Sequence, residues 1–314
     1  MNRSRQSGVA LVTAVVLVAL ATVVAVAIGS RSAMSARRSA GNFGYEQAVQ
    51  FAAGAEALAA YALREDKGEQ DTLGEPWAQP YGPVDVAPGI ALDAQLSDEQ
   101  GKFNLNTLVN ARGTVDPDAL AIFTRLLQLL QLEPRWAPLL VDFIDGDVLP
   151  TPDGGEDSLY LSQQPPYRAA NLTLTSITEL LALPGFGRER FLKLAPHVTA
   201  LPPDASTINV CLASPVLLDA LAALGNGASQ NAVEYSVMDP KQLAQSRAKG
   251  CFPGQAVMRG LLRPDAMSRI SETSRYFRLQ SMVSIGTARF ALYSLLHRDK
   301  DGQVRAVFRT LGTE

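Results

Sequence analysis

Asp142, Asp145, Asp147, Asp153, Glu156 and Asp157 place six carboxylates within 16 residues, and no lysine or arginine lies between Trp136 and Tyr167. Charges this close repel one another unless they are solvated, splayed apart or neutralised by a cation. Hard oxygen donors on a loop suit calcium rather than zinc. From Asp145 to Glu156 the spacing imitates the first, third, ninth and twelfth positions of an EF-hand. The imitation then fails, because Pro150 occupies the glycine position and Leu149 the fifth ligand position. The residues leave a different calcium loop open, with Asp145, Asp147, Asp153, Glu156 and Asp157 as its candidate ligands. A merely solvated acidic loop is the alternative.

Other chemistry is sparse. His197 and His297 are the two histidines, and neither sits in a metal-binding spacing. No nucleophile elbow or Walker loop occurs, and Gly225-Asn-Gly227 lacks the third glycine of a dinucleotide loop. The acids crowd one loop instead of flanking a cleft, which argues against glycosidase-type catalysis. The chain therefore reads as a non-enzyme. The stretch 183–187 (LPGFG) looks like the hairpin of a helix-hairpin-helix, whose glycines can expose amides to a phosphate, with Arg188, Arg190 and Lys193 nearby. A membrane-anchored DNA receptor of the competence type is the alternative function this suggests. A net charge of −3 with 19% charged residues opposes nucleic-acid binding.

The elements that must position the acidic loop begin at the N-terminus. A short basic leader, 1–8 (MNRSRQSG), precedes residues 9–30, a run of 22 without one charge. A secretory signal has an apolar core of only about 7–15 residues. About 20 helical residues cross about 30 Å of hydrocarbon, so this run is long enough to span a bilayer. Cutting between Gly8 and Val9 would leave the membrane helix on the mature chain. That order resembles the class III leader of type IV pilins and pseudopilins. A signal-peptidase site at 32–36 and an uncut anchor are the alternatives. Arg3 and Arg5 favour a cytoplasmic N-terminus, with Arg31, Arg37 and Arg38 competing on the other side.

The helix is expected to continue to residue 67, since Ala48, Phe51, Ala52, Ala55, Leu58, Ala59 and Ala62 recur at three-four spacing. Gly41 and Gly44 form an expected soft point. The stretch 76–89, rich in proline and glycine, ends the helical region. Strand-like alternation follows at 89–97 and 102–108, around a turn at 98–101. Asp116-Pro117 caps a helix over 118–132, and Trp136, Leu139, Leu140, Phe143 and Ile144 stripe the next. A faint repeat relates 171–183 to 209–221, and Ser176 with Glu179 makes a capping box in its first copy. Strands are expected at 275–286, 287–298 and 303–312. The predicted fold is α+β: a long N-terminal helix and an antiparallel sheet built from 68–112 and 271–314, with an all-α domain, 113–270, inserted between strands.

These segments together resemble the K-type minor pseudopilins of bacterial type II secretion, the general secretion pathway protein K family. The resemblance rests on Gly8 before the apolar helix, 98–106 (DEQGKFNLN), 142–147 (DFIDGD) and 155–157 (GED) with Tyr160. It continues through 165–167 (PPY), Asn171, 179–181 (ELL), Pro184-Gly185 and 274–277 (SRYF). It implies a pilin-like body with a helical insertion, calcium in the loop 145–157, and I-type and J-type minor pseudopilins as partners. It also implies cleavage by prepilin peptidase with methylation of Val9, and contact with the pseudopilus, the inner-membrane secretion platform and membrane lipid. The location it implies is the bacterial inner membrane, with the C-terminal domain periplasmic. Val9 replaces the phenylalanine usual after the cut, and Cys211 stands where the family often has asparagine. Thr13, the fifth residue after the cut, replaces the usual glutamate, whose carboxylate would pair with a neighbour's amine in the fibre. A carboxylate in hydrocarbon without that partner is costly, so its absence implies a subunit at the tip. In that oxidising compartment Cys211 and Cys251 are expected to form a disulfide across the insertion, two buried free thiols being the alternative.

Overall fold

The computed structural model describes residues 7–225 and 235–312. Most of the basic leader and the Asn226–Gly227 part of the glycine pair lie outside the described residues. A single helix, α1 (Ser7–Glu65, 59 residues), forms the spine. Its apolar half has a mean hydropathy of 2.9 over the best window, none of it buried against protein. Its second half turns Ala48, Ala52, Ala55, Ala59 and Leu63 onto the sheet, at the spacing that keeps them on one face. The expected soft point at Gly41 and Gly44 is not a break. Both lie in open space, and helix formers on either side carry a cost of about 1 kcal/mol per glycine.

Five antiparallel strands lie in sequential order: β1 (Tyr81–Ala87), β2 (Ile90–Asp98), β3 (Tyr276–Ile285), β4 (Ala288–Arg298) and β5 (Val304–Leu311). The three C-terminal strands fall where alternation placed them. Strand β1 lies inside the stretch read as a breaker. It is an edge strand with register shifts, a position that tolerates Pro83 because one side of the ladder is unpaired. The strand expected at 102–108 shrinks to Phe103–Asn104, paired in parallel with Val198–Thr199. Beyond it the Asn104 side chain accepts from Asn106 N at 3.2 Å and winds the chain into a turn of 3-10 helix, Leu105–Leu108.

The direction of β2 decides where the helical block sits. Ile90 and Leu92 pack with Ala48, Ala52 and Ala55, whereas Leu96 packs with Ala59 and Leu63. Strand β2 therefore runs away from the membrane half of α1, and its end at Asp98 lies at the far end of the spine. The chain re-enters the sheet at Tyr276, opposite His297 on β4. Everything between Asp98 and Tyr276 is thus attached at the end remote from the apolar half.

That block contains α2 (Pro117–Leu129), α3 (Trp136–Ile144), α4 (Asp157–Leu161), α5 (Gly187–Leu194), α6 (Pro215–Ala220) and α7 (Pro240–Arg247). Asp116 caps α2 by accepting from Asp118 N and Ala119 N, and Pro117 follows at the first helical position. The block has its own core, in which Phe103 stacks on Phe123 at 5.6 Å and Trp136 meets Phe186 edge-on at 5.2 Å. The seam with the sheet is partly apolar, with Leu201 and Ala205 against Tyr276 and Leu295. It is also ionic: Glu99, almost fully buried, is held by Lys102 at 2.8 Å and Arg278 at 3.1 Å.

Candidate functional site

The acidic loop starts where α3 ends. Asp145 is the C-cap of α3, its N–H donating to Val141 O at 2.9 Å. Glu156 stands immediately before α4 as its N-cap, and Asp147 lies on the loop between them. These three offer carboxylate oxygens that all lie within 4.8 Å of one another. Asp145 is 4% exposed and Glu156 6%, while Asp147 is open to solvent. Asp145 Oδ1 and both carboxylate oxygens of Glu156 are buried without a hydrogen-bond partner among the described residues. Burying such groups unpaired is unfavourable, so the charged forms are penalised. Burial, then the charges of Asp147 and Asp142, raise Asp145 to about 6. Burial, then Asp142, Asp145, Asp147 and Asp157, raise Glu156 to about 7. Buried acceptors that converge without a donor are what a hard divalent cation would neutralise, so the residues fit such an ion.

The other two expected ligands are not in this group. Asp157 turns to Arg168, at 3.2 Å, and accepts from Ala169 N at 3.2 Å. Asp153 is exposed in a left-handed turn at φ 65°. Asp142, fully buried, organises the loop instead. Its carboxylate accepts from Thr151 N at 3.0 Å and Gly155 N at 2.8 Å. Gly154 lies so close that any Cβ there would collide with Asp142 Oδ2. Asn171 ties a second segment to the site: its N–H donates to Phe143 O at 3.0 Å and its side-chain amide to Asp147 O at 2.7 Å. Asn171 Oδ1 and the Tyr160 hydroxyl are further buried atoms without a hydrogen-bond partner among the described residues. Asn171 and Tyr160 were visible only as parts of a motif, with nothing in local spacing to bring them to a loop so far back in the chain.

A second carboxylate group, Asp66, Asp71 and Glu75, is also close enough to share an ion. Arg298 already pairs with two of its members, at 3.0 Å from Asp66 and 2.6 Å from Asp71, and Glu75 accepts from Thr72 N and Trp77 Nε1.

The glycine hairpin is a packing device. Gly185 and Gly187 adopt φ of 80° and 71°, which lets Phe186 turn inward against Trp136. Arg190, offered above as a phosphate contact, is engaged by Glu133 at 3.0 Å and lies over the Trp136 ring at 5.4 Å. Lys193 pairs with Glu189 at 3.5 Å. Cys211 and Cys251 are joined as a disulfide, which ties the segment beside the sheet to the stretch just beyond α7. Along α1, an apolar groove of about 480 Å³ is lined by Leu58, Tyr61, Trp77, Tyr81 and Leu96.

A long apolar-to-amphipathic helix, an antiparallel sheet against its second half and a helical block at the far end define a pilin-like, membrane-anchored subunit. The family model for type II secretion system protein K matches residues 101–203. Over its whole length the chain is similar to the type II secretion system protein K of Pseudomonas aeruginosa, with 34% identity covering 99% of this chain and 94% of the relative. It is similar also to the protein of that name from Klebsiella pneumoniae, with 32% identity covering 94% and 93%. The chain belongs to the type II secretion system protein K family, pseudopilins of a protein-transport machinery. Among solved structures, a chain of the GspK–GspI–GspJ complex from the type 2 secretion system of enterotoxigenic Escherichia coli superimposes with a TM-score of 0.67. That match is 26% identical and covers 88% of this chain and 100% of the other.

Proposed function

We propose that this chain is the tip subunit of the type II secretion pseudopilus and initiates its assembly with I-type and J-type minor pseudopilins. The observation that carries the proposal is the place of the insertion: the bulk between Asp98 and Tyr276 is attached at the end of the spine remote from the apolar half. A block there obstructs the next subunit of a regular stack from above and leaves the flank of α1 open. On that flank Phe43, Leu58 and Tyr61 are 66%, 57% and 55% exposed, an apolar face suited to helices of neighbouring subunits. Thr13 agrees, since its hydroxyl donates within α1 to Val9 O at 3.1 Å and has no carboxylate to pair with a neighbour's amine. The relative solved as a K–I–J complex supports the choice of partners.

The apolar half of α1 is the single inner-membrane anchor, with the N-terminus cytoplasmic and the globular part periplasmic. Prepilin peptidase cuts between Gly8 and Val9, and Val9 becomes methylated. The role is structural, with no catalysis. Calcium is the cation held by Asp145, Asp147 and Glu156, and it fixes the loop between α3 and α4. The deciding experiment is co-purification of the full chain with its I-type and J-type counterparts. Stable capture of both, lost on substituting Leu58 and Tyr61 by serine, is the expected result. Failure to capture either, with the chain folded by circular dichroism, overturns the proposal.

A further inference from the structure

The carboxylate site carries an unpartnered apolar rim. Val148 and Leu149, 69% and 74% exposed, follow directly on Asp147, and Leu172, 71% exposed, follows on Asn171. Both segments are fastened to the site. The Asp147 carboxylate accepts from Leu149 N at 2.8 Å, and the Asn171 side chain donates to Asp147 O at 2.7 Å. The rim is therefore held at the level of one carboxylate residue that a cation would itself grip. Singly scattered exposed aliphatic side chains are ordinary, but here they lie on two segments tied to each other through Asn171 and Asp147, which makes them a candidate contact surface.

Charge selects the occupant. Besides the three converging carboxylates, Asp142, Asp153 and Asp157 lie in the same stretch, against Arg168, which Asp157 already pairs at 3.2 Å. One divalent cation leaves this face net negative. A phosphate-bearing lipid surface would be repelled, whereas a segment mixing aliphatic and basic side chains would be attracted.

We propose that Val148, Leu149 and Leu172 form a cation-conditioned docking surface for a protein partner that presents aliphatic residues flanked by lysine or arginine. The proposal rests on the divalent-cation reading of Asp145, Asp147 and Glu156. The cation holds Asp147, and with it both aliphatic segments, in the orientation that docking uses. Exposed Asp153, which is outside the converging group, meets the partner's cations at the rim.

The test uses the full chain in zwitterionic nanodiscs, with fluorescence anisotropy of a short labelled peptide of alternating leucine and lysine as the probe. Empty nanodiscs supply the background. Saturable binding in calcium is expected, weakened at least tenfold in chelator and in a Val148→Ser plus Leu149→Ser variant. That variant keeps the wild-type calcium response in its thermal melt, because it alters no carboxylate. A peptide of alternating leucine and glutamate should not bind. If the wild-type melt ignores calcium, the cation reading has failed and the proposal falls with it. If the melt responds but the variant or the chelated protein binds the peptide as tightly, the docking surface alone is refuted. Preferential capture of the calcium-loaded protein by phosphatidylglycerol vesicles would assign the rim to lipid and overturn the proposal.

Discussion

Removing the cation, or one carboxylate, should have opposite effects on the loop between α3 and α4. Three carboxylates offer oxygens within 4.8 Å of one another. At that distance and an effective dielectric of about 20, each ionised pair costs about 3.5 kcal/mol. Without a cation the folded loop must carry this repulsion, and the unfolded chain escapes it. A cation that binds only the folded state adds RT ln(1 + [L]/Kd), about 2.7 kcal/mol at a hundredfold excess over Kd. For folded parts of roughly 150–250 residues, somewhat shorter than this chain beyond its membrane run, 1 kcal/mol moves the midpoint by about 2–4 °C. Calcium should therefore raise Tm by about 5–10 °C over chelator, and magnesium by less, because magnesium demands stricter octahedral geometry and sheds water reluctantly. Glu156→Gln should abolish the calcium rise. It should also raise the midpoint in chelator, because a neutral amide of the same shape removes two repulsive pairs. Differential scanning calorimetry of the full chain in detergent micelles, with elemental analysis of the protein, reads both effects. A wild-type melt indifferent to chelator, with no calcium bound, would refute the reasoning. So would a Glu156→Gln protein that is less stable than wild type in chelator, since repulsion would then not be the governing term.

Three further outcomes are expected. Intact-mass analysis of membrane-purified protein should find a chain beginning at a methylated Val9; one beginning near Ala36, or still at Met1, would contradict the proposed maturation. Replacing Cys211 and Cys251 by serine opens a loop of 40 residues in sequence separation, which the chain-entropy model values at about 4 kcal/mol. The variant should melt at least several degrees lower, and full thiol labelling of denatured wild type without reductant would show that the bridge does not form. Burial lifts Asp98, at the end of β2, to about 7. Its folded pKa then exceeds the unfolded value, so the folded state takes up a proton and this group's contribution falls as pH rises from about 4 to about 7, by at most about 1.4 kcal/mol per pH unit. Asp98→Asn should remove that slope, so its midpoint gains on wild type over this range and the gain levels off above it; a constant gap would show that Asp98 is ionised throughout.

Much of the architecture was legible because periodicity reports burial. The alanines of α1 recur at helical spacing since only small side chains let the spine close on the sheet, and the alternation of β3 to β5 reports one covered face. The failures have physical causes. Edge strand β1 is irregular and carries Pro83, so it lacks the alternation of a central strand. The 102–108 stretch alternates like a strand, yet Leu105 and Leu108 are both buried from one turn of 3-10 helix that the Asn104 side chain starts. At the site, composition gave the carboxylates but not their directions. Asp157 begins α4 and is drawn to Arg168, and Asp142 satisfies backbone N–H groups rather than facing an ion. Asn171 reaches Asp147 across 24 residues, a contact that no local pattern encodes.

The seam explains how a block built at one end can act with the spine as a unit. Arg298, on β4, spans from Asp66 just beyond α1 to Asp71, and its guanidinium also donates to Ser274 O at 2.8 Å. Ser274 N in turn donates to Asp71 Oδ2 at 2.6 Å, and the Asn209 amide donates to the Ser274 hydroxyl at 2.8 Å. One cation thus joins the end of the spine, the sheet and the returning end of the insertion. Glu99, where the chain leaves the sheet, is fixed in the same manner by Lys102, Arg278 and the Thr199 hydroxyl. Removing one member of such a buried pair leaves the other charged and desolvated, a loss of about 3–5 kcal/mol. Both chain crossings are therefore stiff, and neither behaves as a free linker. A partner bound to the helical block consequently bears on α1 through ionic ties rather than through a hinge, which is what the tip role proposed above would require of the subunit.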